Sequence, residues 1–164
     1  MSQFSKHVNQ VRKFMEKQEF PVNLDIRNMP SSAILRFEST QLSTAASTLF
    51  KEARLLEKYV EANNTSTRIA RAQLMIEELA EIIEAMITGD EEELLDGLAD
   101  LLFVTLGTAI TFNMPIEEAH EEVCKSNLTK CKRDQSKDPR IRCKGENYVP
   151  PKIKEVLEKY RNVK

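Results

Sequence analysis

Two apolar stretches with helical periodicity, joined by a single glycine, constrain this chain more than any other feature of its sequence. Between Thr67 and Thr88, Ile69, Ala72, Leu74, Met75, Ile76, Leu79, Ile82, Ile83 and Met86 keep the spacing of a helix. Gly89 follows where a helix ends most easily in a left-handed residue. Asp90 is placed to cap a second helix, and Glu93, three residues on, completes a capping-box-like pair. The run Leu94, Leu95, Leu98, Leu101, Leu102, Phe103, Val104, Leu106 is apolar almost all round. Such a helix is expected at the centre of a bundle. So short a turn makes the two helices antiparallel neighbours.

The rest of the chain extends this pattern. Phe4, Val8, Val11, Phe14 and Met15 predict a helix ending near Gln18, and Pro21 and Pro30 bracket an extended link. Leu42, Ala45, Ala46, Leu49, Ala53, Leu56 and Tyr59 predict another helix, with Ser39 or Thr40 as its cap and a break at residues 63–66. Pro115 opens a helix through Ile116, Ala119, Val123, Cys124, Leu128 and Cys131. Residues 132–147 read as a loop, and Pro150-Pro151 precede a short helix with Ile153, Val156, Leu157 and Tyr160. With 4 Gly, 6 Pro and no Trp, the chain lacks the turns an all-β sandwich or barrel needs. The expected fold is all-α: an antiparallel bundle of four to six helices in a single domain, residues 1–164.

Composition excludes several functions. A net charge of −2 is not the basic excess of a nucleic-acid binder. No apolar run approaches the roughly 20 residues that cross a bilayer, so no membrane partner is expected. The polar N-terminus lacks a signal-peptide core, and three cysteines, an odd count, argue against a disulfide framework. A cytoplasmic location is expected. No glycine-rich phosphate loop is present.

The chemistry lies in the acidic residues of the two central helices. Glu77 or Glu78 shares a face with Glu81, and Asp96 shares one with Asp100. At about 1.5 Å per residue, Glu81 and Glu77 lie about 12 and 18 Å from the Gly89 turn, and Asp96 and Asp100 about 9 and 15 Å. The four acids bracket one level. Glu93, only about 5 Å from the turn, is too shallow to join them and reads as a cap. Gathered carboxylates repel one another unless compensated, and a hard divalent cation such as Mg²⁺ (or Mn²⁺) compensates them. The competing reading is a solvated acidic face.

Lys125, Asn127 and Lys130 form a second group able to meet phosphates or a base edge, or simply an outward basic face. Lys144 and Tyr148 are further binding candidates in a loop. His120, Cys124, Cys131 and Cys143 lack the paired spacing of a structural zinc site, and buried thiols are the commoner outcome. Glu117 and His120 supply one of the two Glu-x-x-His motifs of a di-iron bundle, so only a dimer completes that site.

Arg71-Ala72-Gln73-Leu74-Met75-Ile76-Glu77-Glu78-Leu79-Ala80-Glu81 and Asp96-Gly97-Leu98-Ala99-Asp100-Leu101-Leu102-Phe103 resemble the two metal-binding helices of the MazG-like, all-α nucleoside triphosphate pyrophosphohydrolases. The resemblance is closest to the phosphoribosyl-ATP pyrophosphohydrolase-like branch. There, residues 122–130 and 144–151 also look familiar, so the similar stretch covers roughly 67–160. It implies a metal-binding core over residues 67–133, a loop and short helix over 134–164, and a homodimer or homotetramer. It implies Mg²⁺-dependent cleavage of a (deoxy)nucleoside triphosphate to the monophosphate and pyrophosphate, in housecleaning of nucleotide pools. Glu78, Glu81 and Asp100 match metal ligands, and Glu77 matches the glutamate that positions or deprotonates the attacking water. The family's usual Glu three residues before the last Asp is Gly97 here, with Asp96 one residue earlier. A histidine often found at the Cys124 position is missing. Residues 31–66 have no counterpart in the resemblance. A di-iron carboxylate bundle and a non-catalytic interaction module are the alternatives.

Overall fold

The computed structural model describes residues 2–28, 33–63, 66–131 and 144–162. Six α-helices account for most of these residues, and none of them lies in a strand. The expected all-α architecture is therefore present. The helices are α1 (Gln3–Lys17), α2 (Ala33–Asn63), α3 (Thr67–Thr88), α4 (Glu91–Thr111), α5 (Ile116–Thr129) and α6 (Ile153–Asn162). They divide between two compact units, one of residues 1–24 with 113–164 and one of residues 25–112.

The second unit holds α2, α3 and α4, and α3 packs against both of the others. Its boundaries follow from local chemistry. The Ser66 hydroxyl accepts the Ile69 N–H at 3.4 Å to start α3. Gly89 ends it at φ 74°, its N–H donating to the Ala85 carbonyl. Asp90 Oδ1 then accepts the N–H groups of Glu92 and Glu93 at 3.0 and 3.2 Å, opening α4. The reciprocal half of the expected capping box is not needed, because the Asp90 N–H already donates to the Ala85 carbonyl. Helix α2 begins at Ala33, so Ser39 and Thr40 lie inside it rather than capping it. The expected break at 63–66 holds at Ser66, and residues 64–65 lie outside the described residues.

Small side chains set the spacing of the helices. Ala46 and Ala53 of α2, Ala80 and Ala85 of α3 and Ala109 of α4 are buried, as are Ile82 and Val104. Gly97 lets α4 approach α3 most closely: a Cβ there would fall 2.9 Å from Ile82 Cγ1. Within this unit the central helix is α3, not the more apolar α4, which corrects the expectation from periodicity. Leu95, Leu98, Leu102, Phe103, Leu106 and Ile110 of α4 are exposed, Phe103 by 76% and Ile110 by 79%. By length and composition α4 is also apolar enough to cross a membrane, contrary to the run-length reading, because hydropathy averaged along the helix masks Asp96 and Asp100.

The first unit pairs α1 with α5 and α5 with α6. Ser2 caps α1 by accepting the Ser5 N–H at 3.1 Å. At its other end, Lys17 Nζ donates to the Leu128 carbonyl at 2.6 Å and the buried Gln18 amide to the Cys131 carbonyl at 2.8 Å. Helix α5 ends at Thr129, short of Cys131. Thr129 Oγ1 accepts the Val149 N–H at 2.9 Å, and Tyr160 Oη donates to Asn113 Oδ1 at 2.9 Å. Cys131 is disulfide-bonded, whereas the odd cysteine count argues against a disulfide framework and buried thiols are the expected outcome. Residues 132–143 of the expected loop, Cys143 among them, lie outside the described residues.

Candidate metal centre and active site

Glu77, Glu78 and Glu81 stand on α3, and Asp96 and Asp100 on the returning α4. Three- and four-residue spacing keeps each set on one face, and the Gly89 turn folds the faces together. The charges of Glu77, Asp96 and Asp100 reach Glu78 and Glu81. Burial comes first, then the charges of Glu81, Asp100, Glu77 and Asp96, in pushing the Glu78 carboxyl above its ordinary range. The Glu81 carboxyl is raised in the same way: burial, then Glu77, Asp100, Glu93 and Asp96. Glu93 adds to the negative charge felt by Glu81 but is not among the charges that act on Glu78.

The cluster is less enclosed than periodicity suggests. Glu77 and Glu78 are half-buried, and Glu81, Asp96 and Asp100 are exposed. Yet Glu78 Oε2 is cut off from solvent and has no hydrogen-bond partner. A buried carboxylate oxygen without a partner costs free energy unless it is protonated or meets a cation. Among the described residues, no three His, Cys, Asp or Glu side chains are drawn tightly enough together to hold an ion as they stand. Their donor set (hard oxygens, one of them orphaned and buried) is of the kind a divalent ion takes.

Sequence reasoning passed over one partner. Gln73 Nε2 donates to Glu77 Oε2 at 2.6 Å and fixes that carboxylate's orientation. The signal was present in the four-residue spacing of Gln73 and Glu77. Position 97 faces Ile82 of α3, where an added Cβ would lie 2.9 Å from Cγ1, and the charge of its neighbour Asp96 reaches Glu78 and Glu81.

The five substrate-binding candidates belong to the first unit. Lys125 is paired with Glu121 at 3.3 Å and Glu122 at 3.1 Å. Lys130 is buried, donates to Asn127 Oδ1 at 2.6 Å and lies 5.6 Å from the Phe14 ring centroid. Lys144 lies 5.1 Å over the Tyr148 ring. Beside His120, Cys124 Sγ lies 3.7 Å from Nδ1, and the His7 ring lies 4.8 Å from the His120 ring. The zinc reading fails on Cys131, because a disulfide sulfur is not a thiolate ligand.

These features define a class: an all-helical unit with acidic side chains gathered across two antiparallel helices. Residues 49–127 match the family described as phosphoribosyl-ATP pyrophosphohydrolase, within the MazG-like nucleoside triphosphate pyrophosphohydrolase superfamily. The match begins inside α2, earlier than the resemblance placed it, and ends before the 144–151 element. It points to nucleotide pyrophosphohydrolase activity, and members of the family are generally dependent on a divalent metal. No curated protein and no solved structure matches the chain.

Proposed function

We propose that this protein is a Mg²⁺-dependent hydrolase that cleaves a nucleoside triphosphate, or a phosphoribosylated one, to the monophosphate and pyrophosphate. The observation that carries the reading is Glu78. Its buried, unpartnered Oε2 sits among the charges of Glu77, Glu81, Asp96 and Asp100. Glu78, Glu81, Asp96 and Asp100 would hold the ion. Bound there, a divalent cation polarises a phosphoryl oxygen and neutralises developing charge. Glu77, oriented by Gln73, accepts a proton from the attacking water as the bridging bond between the α and β phosphates breaks and pyrophosphate leaves.

We also propose that the active form is a homodimer or homotetramer in which a second copy covers the exposed apolar face of α4. Among the described residues, no large side chain is fully buried, so one chain leaves much of its apolar surface in water. A continuous exposed stripe of this kind marks a contact surface. Asp96 and Asp100, beside it on the same helix, would be costly in a bilayer core, which favours a protein partner over lipid.

The test is turnover of a panel of NTPs, dNTPs and phosphoribosyl-ATP with Mg²⁺. Monophosphate and pyrophosphate are the expected products. Release of orthophosphate alone, or no turnover on the whole panel, overturns the proposal.

A further inference from the structure

A cavity of about 710 Å³ opens between α2 and the last turns of α3. Its α2 wall carries Lys51, Arg54 and Lys58, with Ser47 and Phe50 beside them, and Glu84 is the acid on its α3 wall. The three cations recur at three and four residues, so they line one face of α2 over about 10 Å. Some cations of this chain are paired locally: Arg27 with Asp25 and Glu91, Lys125 with Glu121 and Glu122, and Lys152 with Glu155. Lys51, Arg54 and Lys58 have no such carboxylate partner among the described residues, although the chain as a whole carries a net charge of −2. Exposed like charges held along one concave wall repel one another and are relieved by an anion of matching length.

We infer that this groove binds the polyphosphate tail of the nucleotide, with Arg54 as its central contact. The inference rests on the function proposed above and names the part of the substrate that the groove takes. Glu84, at the groove, stands one turn of α3 beyond Glu81, about 4.5 Å along the axis. The groove thus adjoins the carboxylate-bearing stretch of α3 along the helix axis. Arg54 offers the planar fork that suits phosphate oxygens, and Lys51 and Lys58 act as flanking point charges.

The test compares the full chain with Arg54→Gln, Arg54→Lys and the double variant Lys51→Gln/Lys58→Gln, all on an exposed helix face. Three quantities are measured: KM and kcat on whichever nucleotide is hydrolysed, and the affinity for inorganic tripolyphosphate. For Arg54→Gln, KM and the tripolyphosphate Kd are each expected to rise about tenfold with kcat little changed, the signature of a lost ground-state contact. Arg54→Lys is expected to restore most of the loss. Unchanged KM and unchanged tripolyphosphate affinity overturn the inference. So does an Arg54-dependent affinity for a single-stranded oligonucleotide that exceeds that for tripolyphosphate. If the wild type hydrolyses nothing, the functional proposal fails by itself, and the tripolyphosphate measurement alone decides whether the groove binds polyphosphate.

Discussion

Gly97 on α4 faces Ile82 on α3 so closely that one added carbon would lie 2.9 Å from Ile82 Cγ1. This contact sets the distance between the two acid-bearing helices. Gly97→Ala gains helix propensity, up to about 1 kcal/mol. Overpacking a buried contact loses about 1–3 kcal/mol. The substitution is therefore expected to lower the melting temperature and also to weaken metal-dependent stabilisation, because Asp96 and Asp100 move with the helix. Thermal melting with and without Mg²⁺ measures both effects. An unchanged or raised melting temperature would show that the α3–α4 spacing is set elsewhere.

Glu78 and Glu81 give a pH dependence with a definite sign. Their carboxyls titrate above the ordinary glutamate value of 4.5 in the fold. Below that value both states are protonated and the native state keeps its full advantage. That advantage is lost as pH rises through the raised folded values, because the fold then holds an unfavourable charge. Glu78→Gln is expected to raise the melting temperature of metal-free protein near neutral pH and to remove the extra stability conferred by Mg²⁺. A variant that melts lower than wild type without metal would contradict the crowding of these acids.

His120 works in the opposite direction. Burial, and then the charge of His7, hold its imidazole below the ordinary value of 6.5. Stability from this group is present above that value and lost as pH falls through the depressed folded one. His120→Gln is expected to flatten the acid limb of the melting curve while leaving the neutral region unchanged. An acid limb identical to wild type would remove His120 from the account.

Loss of a proposed metal-holding group separates chemistry from folding. Glu81→Ala or Asp100→Ala is expected to reduce turnover at least about 100-fold, and Gln73→Ala about 10- to 100-fold through a misplaced Glu77. Helical circular dichroism should be unaffected, since both acids are exposed. Full activity in either acid variant would displace the centre from α3 and α4.

A charge on the apolar face of α4 tests the assembly. Phe103→Glu is expected to convert the oligomer to monomers in light scattering coupled to gel filtration, because a carboxylate cannot be buried unpaired in an apolar contact. A wild type that is already monomeric at high concentration would refute the proposed role of this face.

Local chemistry is visible in one dimension, which is why helix α3, its Gly89 stop, the Asp90 cap and the spacing of the five acids were legible before any coordinates. Periodicity and capping depend only on neighbours within a turn or two. The same reasoning misplaced α4, because hydrophobicity says that a face wants cover and not which molecule covers it. The absence of a glutamate at position 97 was visible in the sequence, but the approach of Ile82 from another helix was not.

By itself, the sequence determined that this chain is helical, where α3 and α4 meet, and that their acids share a level. Only the tertiary structure decided which oxygen is stranded without a partner, which glycine admits the neighbouring helix, and which cations of α2 stand together unpaired along a groove. Those properties arise between segments distant in sequence, where burial and charge depend on what the fold brings alongside.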